Sequence, residues 1–406
     1  SAPVEYHNQR LEFLGDSVLE FVSGHHLFAL FGAADEGELT NYRCALVNNR
    51  GLALFARRLG FAALVLHGPT APSGASFAGD AAERDKLLAD CFEAFFGALY
   101  LDAGLGACRA VLAKCAFPRA AELPLRRCWL HATEMPYAAP CPLRRRRADA
   151  SQAPLRTFER ATGLRFEQLG LLAQAFTHPS ACSDRNDCTP PPRLPDGAPP
   201  HNQRLEWLGD AVLQLASSDF LFHFFPEHQE GALSLLRSSL VNNSLICDVA
   251  AACGMHHCMR YHHDSMDEPG KARRAMLADC SEAFLGALFL DRQPLGMAHA
   301  KAFTHTMLFS IAREAVAERR WMDPKTRLLF CLQEFNAQEA LEAARRLHKP
   351  SYAVLDEWGP SHERMYLVGC YLNEQLVAQA RGQSLQDAQM GAAIKAQEVL
   401  GLDEPE

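Results

Sequence analysis

Apolar residues recur at intervals of three and four positions in two long stretches of the chain, the spacing of an amphipathic α-helix. The repeating positions are Leu11, Leu14, Val18 and Phe21 in the first stretch and Leu205, Leu208, Val212 and Leu215 in the second. Because this pattern persists over several helical turns, it predicts long helices rather than short buried strands. We expect each stretch to form the core of a helical bundle and the protein to be mainly α-helical.

The two stretches are copies of one another. Residues 7–21 read HNQRLEFLGDSVLEF and residues 201–215 read HNQRLEWLGDAVLQL, identical at eleven of fifteen positions. A second block, LADCFEAFFGALYLD at 88–102, returns as LADCSEAFLGALFLD at 277–291. The separation of about 190 residues is much longer than a solenoid repeat. The pattern therefore indicates a duplicated domain.

Composition suggests where the two copies begin and end. We place them at residues 1–118 and 155–320, joined by a linker at 119–154 that carries prolines, mixed charge and the run Arg144–Arg147. The arginine run is predicted to be solvated, with an RNA contact or a nuclear-import signal as the alternative. A proline-rich loop is predicted inside the second copy at 189–200.

The second copy has a helical region at 155–180 ahead of its first motif, and the first copy has no counterpart to it. The chain also begins at Ser1 and enters the first motif almost at once. We therefore expect the first copy to be truncated at its N-terminus and the chain to be part of a longer protein.

The pattern changes after Trp321, where a small third domain is predicted at 321–402. Its expected elements are a helix at 323–335 with an alanine-rich extension to about 346, strands at 351–357, 364–372 and 375–380, and a helix at 384–400. This α-β-β-β-α order is typical of a compact domain with helices on one face of a three-stranded sheet.

The overall composition is that of a globular protein, with 48% hydrophobic and 22% charged residues. No apolar run reaches the roughly 18 residues that a membrane helix needs, so no membrane association is expected. The net charge is −8, so attraction to phosphate would depend on local basic patches, bound metal ions or a basic partner.

The fourteen cysteines fall mostly within apolar helical stretches, as Cys91 and Cys280 do. That placement suits reduced thiols in a nuclear or cytosolic protein better than a set of disulfides. The motif CGMHHC at 253–258 admits a zinc site, but no second pair at finger spacing accompanies it. A packed helix end is the ordinary explanation.

Acidic pairs at helical spacing recur in both copies. Glu12 and Asp16 are four residues apart, and Asp90 and Glu93 are three apart, so each pair projects from one helix face. The corresponding residues of the second copy are Glu206, Asp210, Asp279 and Glu282. All eight lie in apolar sequence, where a buried helix would have no acids. We predict that each quartet converges on a catalytic metal site.

Four converging carboxylates repel one another unless cations neutralise them. Hard oxygen ligands at a water-accessible site suit Mg²⁺, and we expect Mn²⁺ to be able to replace it. A metal pair about 4 Å apart can activate a water molecule and stabilise the leaving oxygen of a phosphodiester. The sequence thus predicts metal-assisted phosphodiester hydrolysis, with no histidine or serine nucleophile.

A single acidic pair at this spacing is more often a solvated helix face, and only its repetition in two copies favours the metal site. Glu36 and Glu230 stand equivalently ahead of the helices that end in LVNN. They are candidates for an outer-shell contact with the metal ligands. An acid favoured by the helix dipole at a helix start explains them almost as well.

NQRLEFLGDSVL and NQRLEWLGDAVL resemble the signature of the ribonuclease III family, and the two LADCxEA segments resemble its second catalytic block. The THPS segment at 177–180 is similar to a further element of that family. The resemblance covers nearly the whole chain. It implies two all-α nuclease domains that pair face to face as an intramolecular pseudo-dimer around one RNA duplex, each cutting one strand and leaving short 3′ overhangs.

The chain departs from the commonest family motif at Gln9 and Gln203, where that motif has glutamate. Neither position is one of the four ligands, so we expect little loss of activity.

Within the family, the chain looks most like the Drosha type of two-domain enzyme. The similar features are the short connector, FPEHQEGALSLLRSSLVNN, WMDPK, GPSHERMY and AQMGAA. This resemblance implies a hairpin primary microRNA transcript as substrate, a nuclear location and a dimeric double-stranded-RNA-binding partner of the Microprocessor type. Open alternatives are a Dicer-type enzyme, a ribosome-assembly nuclease and a catalytically silent RNA scaffold.

The third domain resembles a double-stranded-RNA-binding domain, which reads duplex shape across minor grooves. The resemblance implies that Gly359, Pro360 and above all His362 contact RNA. The usual lysine cluster at the start of the final helix is replaced by QSLQD at 383–387, and residues 323–406 carry 13 acidic against 8 basic residues. We therefore expect this domain to bind duplex RNA weakly when isolated and mainly to orient the substrate.

Overall fold

The computed structural model describes residues 7–66, 81–119, 122–133, 148–182, 201–262, 269–307, 324–338, 349–360 and 364–402. The chain divides into two compact units, residues 1–310 and 311–406. The first unit contains both copies of the repeat, and the second contains the small third domain.

The described residues of the first copy form four α-helices. They are α1 (Gln9–Leu30), α2 (Glu36–Leu46), α3 (Asn49–Arg58) and α4 (Ala81–Ala116), with a short 3-10 turn at Phe61–Ala63. Two sequence signals set their starts. Asp35 and Glu38 form a reciprocal capping box at the start of α2, and the Asn48 side chain accepts a hydrogen bond from the Gly51 amide at the start of α3.

The second copy repeats this arrangement and adds two helices ahead of it. The added helices are α6 (Ala148–Thr162) and α7 (Leu169–Ala175); the repeated ones are α8 (Gln203–Phe224), α9 (Glu230–Leu240), α10 (Asn243–Ala252) and α11 (Pro269–Asp291), followed by α12 (Gly296–Met307). The predicted helical region ahead of the second copy is therefore present. The inserted loop predicted at 189–200 lies outside the described residues.

The predicted linker contains a helix, α5 (Leu123–Ala132), that the sequence pattern did not indicate. Trp129 explains why it forms there, because its buried ring stacks on His26 of α1 at a centroid distance of 4.8 Å. Burial of a large aromatic side chain stabilises a short helix whose own sequence is weak. The run Arg144–Arg147 lies outside the described residues.

The helix α4 is long and apolar enough to cross a membrane by length and composition alone. It is interrupted at Gly104, where φ is 73°, and it packs against α1 and α3. It also carries Asp90 and Glu93 on one face. These features describe a core helix of a helical bundle.

The two copies pair through α1 and α8, which pack against each other. Arg10 of α1 donates a hydrogen bond to the carbonyl oxygen of Phe222 near the end of α8, at 2.7 Å. Arg204 of α8 donates equivalently to the carbonyl oxygen of Phe28 near the end of α1, at 2.9 Å. The last carbonyls of a helix lack partners within it, so each arginine caps the C-terminal end of a helix in the other copy. The result is an intramolecular pseudo-dimer.

The added helices cover one side of the second copy. There the fully buried ring of Phe284 packs against Phe158, Phe166 and Phe176. Its counterpart in the first copy, Phe95, is only partly buried and lines an open apolar groove of about 450 Å³. The two copies therefore share a core but differ in what covers it.

The second unit follows the predicted α-β-β-β-α order. It comprises α13 (Pro324–Gln338), β1 (Ser351–Trp358), β2 (Met365–Leu372), β3 (Gln375–Gly382) and α14 (Leu385–Leu400), with an antiparallel sheet in the order β1-β2-β3. Its core joins Leu328 and Leu332 of α13 to Cys370 of β2 and to alanines of α14. Both the mainly helical class and this small domain are confirmed. The alanine-rich extension predicted to about residue 346 lies outside the described residues.

The CGMHHC segment is a packed helix end. Cys253 and Cys258 are buried free thiols, and burial raises the pKa of both. Gly254 takes a positive φ of 75°, which ends α10 in the manner that glycine permits. Among the described residues, no group of metal-ligating atoms includes these side chains.

Candidate active site

Two glycines allow α1 and α4 to approach each other at backbone distance. A Cβ built on Gly15 would overlap the carbonyl oxygen of Glu93 and lie 2.8 Å from the backbone nitrogen of Gly97. A Cβ on Gly97 would in turn overlap the carbonyl oxygen of Leu11. Only residues without a side chain fit this crossing. It brings the acidic faces of the two helices together.

The same crossing is repeated in the second copy. A Cβ on Gly209 of α8 would overlap the carbonyl oxygen of Glu282, and one on Gly286 of α11 would overlap that of Leu205. These glycines belong to the motifs LGD and FxGAL, which are repeated in both copies. The repetition could have indicated their role, but helical periodicity alone did not. They are the residues that turn two separate acidic pairs into one site.

In the first copy, the crossing gathers three of the four predicted carboxylates. Glu12, Asp90 and Glu93 each place an oxygen within 4.8 Å of the others, and all three side chains are partly exposed. Asp16 lies beside them but faces Arg237 of the second copy, at 3.7 Å, with about half of its side chain exposed. Asp16 and Glu93 line one small cavity of about 140 Å³.

Burial and mutual repulsion disfavour ionisation in this cluster. Burial is the main cause that raises the pKa of Glu12 to about 7, and the nearby Asp90 adds to it. Burial likewise raises the pKa of Glu93 to about 8, with further increases from Asp16, Asp90 and Glu12. Such shifts arise where several like charges share a partly buried site.

The second copy places its carboxylates equivalently on α8 and α11. Burial raises the pKa of Glu206 to about 8, of Glu282 to about 9 and of Asp279 to about 6. Asp279 adds to the increase for Glu206, and Asp210 adds to that for Glu282. Among the described residues, however, only the first copy has three ligand atoms within 4.8 Å of one another.

Glu36 and Glu230, the two outer acids, each act on the carboxylates of the other copy. Glu36 belongs to the first copy, yet its charge raises the pKa of Glu206 and of Asp279 in the second. Glu230 of the second copy raises the pKa of Glu12 in the first. Each site therefore combines a quartet from one copy with an acid from the other, a relationship that the sequence could not indicate.

Two arginines also cross the interface. Arg237 lies 4.9 Å above the ring of Phe13 in the first copy, and Arg43 lies 5.1 Å above the ring of Trp207 in the second. Arg43 also forms an ion pair of 2.7 Å with Glu20, whose pKa is raised to about 7 mainly by burial. None of these three charged residues, Arg43, Arg237 and Glu20, was predicted from the sequence. Positively charged groups between two acidic sites suit a phosphate backbone that passes from one to the other.

The donor set fits a hard divalent cation. Carboxylate oxygens from two rigid helices converge, remain accessible to water and resist ionisation when no cation is present. These are the properties expected of Mg²⁺ ligands, with open positions left for water and phosphate. Glu36 and Glu230 are the first residues of α2 and α9, and their outer-shell role remains a prediction.

The predicted RNA contacts of the second unit are only partly within the described residues. Gly359 and Pro360 are exposed directly after β1, and Gly359 has a positive φ of 94°. His362 lies outside the described residues. The contact of this loop with RNA remains a prediction.

Three family models match the chain in the order of its domains. The model described as ribonuclease III domain matches residues 9–104, and the one described as ribonuclease-III-like matches 169–311. The model described as double-stranded RNA binding motif matches residues 332–400. These matches contain all eight carboxylates and the whole three-stranded sheet.

Individual relatives agree with these matches. The chain is 34% identical over 400 residues to the Ribonuclease 3 of Homo sapiens, which covers 97% of this chain and 27% of that relative. It is 32% identical over 244 residues to the Ribonuclease 3 of Carboxydothermus hydrogenoformans, covering 60% of this chain and 94% of that relative. The chain thus spans about a quarter of the length of the human relative.

Among solved structures, the Dicer of Giardia intestinalis has a similar fold. The TM-score is 0.52 at 17% sequence identity, over 75% of this chain and 54% of that one.

Proposed function

Because the chain belongs to the ribonuclease III family and is an endoribonuclease of that type, we propose that it cuts both strands of double-stranded RNA hairpins in a Mg²⁺-dependent reaction. Each nuclease domain cuts one strand and leaves a short 3′ overhang. The observation that carries this proposal is the duplication of the whole site, with an acidic quartet on crossed helices in each copy.

In each domain, the carboxylates on the two crossed helices would hold Mg²⁺, or Mn²⁺ in its place. When bound, the ion supplies Lewis-acid activation of water and stabilises charge on the leaving oxygen. The protein side chains position the ion and the RNA. Glu12, Asp90 and Glu93 fix the ligand geometry, while Arg43 and Arg237 attract and orient the phosphate backbone.

We further propose that the substrate is a primary microRNA hairpin, as for the Drosha type. Support comes from the Drosha-like segments of the sequence and from the order of its domains, two ribonuclease III domains followed by a double-stranded RNA binding motif. By the same resemblance, the protein would act in the nucleus with a dimeric double-stranded-RNA-binding partner. Such a partner would supply the positive charge that a chain of net charge −8 lacks.

A substrate comparison tests this proposal. The full-length protein with its partner would be incubated with Mg²⁺ and three RNAs: a hairpin with single-stranded flanks, the same hairpin without flanks, and a long perfect duplex. We expect efficient paired cuts near the base of the flanked hairpin only. The Glu12→Gln/Glu206→Gln double variant is the control for contaminating nuclease.

A preference for the unflanked hairpin or the long duplex would instead support Dicer-like processing. Duplex binding without any cutting by the parent protein would support a non-catalytic RNA scaffold. Fluorescence imaging of the full-length protein tests the nuclear location separately, since a purely cytoplasmic signal would contradict it.

A further inference from the structure

Lys86 is a cation of the first site, and the equivalent position of the second site carries no charge. Lys86 stands one helical turn before Asp90 on α4, and its Nζ donates a hydrogen bond to Oδ2 of Asp90 at 2.7 Å. Its charge also lowers the pKa of Glu12 and of Glu93, opposing the effect of burial. Lys86 therefore acts on all three carboxylates of the first cluster. Because 64% of its side chain is exposed, it enters the site from the solvent side.

The equivalent position in the second copy is Ala275, one turn before Asp279 on α11. The adjacent Arg274 does not replace the lysine, because its guanidinium pairs with Asp248 of α10 at 2.9 Å. Burial and other carboxylates dominate the pKa of Glu206 and of Glu282. Among the described side chains, no cation is found to lower the pKa of Glu206, Asp279 or Glu282.

The other cations near the sites act on both of them. Arg43 and Arg237 both lower the pKa of Asp16 in the first site and of Asp210 in the second, against the increase caused by burial. Arg237 also pairs with Asp16 at 3.7 Å. Lys86 differs from both arginines because its partner is Asp90, a member of the close cluster of three carboxylates. It also accounts for the tighter cluster of the first copy, because an ammonium group allows three carboxylates to lie close together without a metal ion.

We propose that Lys86 is a built-in counter-ion that competes with the divalent cation at Asp90, so that the first site needs more Mg²⁺ than the second. Metal binding at the first site must displace or share an ion pair, whereas the second site offers its carboxylates without that competition. The two strands of one hairpin would then be cut with different Mg²⁺ dependence. This inference rests on the proposed function, since it assumes that both quartets hold the catalytic ion.

The size of the effect follows from the exposure of the lysine. A solvent-exposed ion pair is weak, and its long side chain can swing away. We therefore expect the half-saturating Mg²⁺ concentration of the first site to exceed that of the second by about two- to fivefold. At saturating Mg²⁺ both strands should be cut.

The test isolates each site in the full-length protein. Glu206→Gln leaves only the first site active, and Glu12→Gln leaves only the second. Mg²⁺ is titrated on a hairpin labelled on both strands, with Lys86→Ala added to the first background and Ala275→Lys to the second. We expect Lys86→Ala to lower the half-saturating Mg²⁺ concentration of the first site and Ala275→Lys to raise that of the second. Lys86→Arg, which keeps the charge, should retain the parent requirement.

Metal binding without RNA provides a second readout. Mn²⁺ binding is followed by electron paramagnetic resonance in the Glu206→Gln/Glu282→Gln background, where the first quartet is intact. Lys86→Ala should tighten this binding by about two- to fivefold. Equal Mg²⁺ requirements at the two sites, or unchanged Mn²⁺ affinity in Lys86→Ala, would overturn the proposal. A third result would also overturn it: at saturating Mg²⁺, Lys86→Ala slows the cut made by the first site, but its half-saturating Mg²⁺ concentration does not change. That result would indicate that Lys86 contacts the reacting phosphate.

The two proposals fail separately. If the parent cuts neither strand at any Mg²⁺ concentration, the proposed function is wrong, and the Mn²⁺ measurement still decides whether Lys86 competes with a cation.

Discussion

The hydroxyl oxygens of Ser17 and Ser218 lie 2.7 Å apart in the buried centre of the interface between the two nuclease copies. Arg237 donates a hydrogen bond to each of them, at 2.7 and 3.1 Å, and the same guanidinium faces Asp16 at 3.7 Å. The pairing of the two copies and the position of a predicted metal ligand are therefore linked through one side chain.

This linkage predicts a measurable coupling energy. Ser17→Ala should lower the free energy of unfolding by about 1 to 2 kcal/mol, because a buried hydrogen-bonded pair loses one partner. The Ser17→Ala/Ser218→Ala double variant should cost less than the sum of the two single variants, by about 1 kcal/mol. Urea denaturation of all four proteins measures this cycle, and strict additivity would contradict the linkage.

The glycine crossings predict a severe and local defect. Gly15→Ala should destabilise the protein by about 3 kcal/mol, because the new methyl group overlaps the backbone of Glu93. It should also impair the cut made by the first site. Gly106→Ala is the matched control in α4, since nothing lies within 4 Å of a Cβ there. It should be neutral or stabilising by up to about 1 kcal/mol.

Thermal unfolding and strand-resolved cleavage check both glycine variants. Gly209→Ala should reproduce the defect at the second site, because it meets Glu282 in the same way. If Gly15→Ala and Gly106→Ala were equally stable, the close crossing of α1 and α4 would be contradicted.

The raised carboxyl pKa values predict how stability depends on pH without metal. The pKa of Glu206 is about 8 and that of Glu282 about 9 in the folded protein, against an ordinary value of 4.5. The folded state therefore holds protons that the unfolded state releases. This contribution to stability is complete below about pH 4.5 and is lost as the pH rises to about 8 to 9.

In the presence of EDTA, we expect the thermal midpoint to fall between pH 5 and pH 9 for this reason. The Glu206→Gln/Glu282→Gln variant should show a shallower fall, because neutral amides no longer titrate. Added Mg²⁺ should raise the midpoint of the parent at high pH more than at low pH, since protons compete with the ion. An identical slope in the variant would show that these carboxyls do not titrate as described.

The exchange of outer acids predicts which strand each variant affects. Glu36→Gln should slow the cut made by the second site by about tenfold, although Glu36 belongs to the first copy. Glu230→Gln should slow the cut made by the first site. Single-turnover cleavage of a hairpin labelled on both strands separates the two rates. A defect confined to the strand cut by the residue's own copy would contradict the exchange.

The second unit predicts weak RNA binding on its own. Residues 311–406 form a compact unit with its own core, yet residues 323–406 carry 13 acidic and 8 basic side chains. We expect micromolar or weaker affinity of the isolated segment for a short duplex, with circular dichroism confirming that it is folded. Nanomolar binding that falls steeply with salt would show that local positive charge outweighs the net charge.

The sequence was sufficient to predict the small third domain. Repeated acidic pairs at helical spacing indicated Glu12 and Glu282 alike, because periodicity reports which residues share a helix face, and their role as metal ligands remains a prediction. It does not report how closely two helices cross, so the role of Gly15 was missed. Exchange of Glu36 between the copies was missed for a related reason, since it depends on the pairing of distant parts of the chain.

Two further features needed tertiary contacts to be seen. The helix α5 forms in a proline-rich connector because Trp129 has a buried partner in His26. Lys86 is one of seven lysines in the sequence, and its spacing from Asp90 is that of a pair on one helix. Its effect on Glu12 depends on the crossing of α1 and α4, which the local pattern does not report.

The most direct test of a paired two-site nuclease is cleavage of one hairpin RNA, labelled separately on each strand, by the parent, Glu12→Gln and Glu206→Gln proteins with Mg²⁺. We expect each substitution to abolish the cut in a different strand and to spare the other. Loss of both cuts in either single variant, or of the same cut in both, would contradict the assignment of one complete site to each copy.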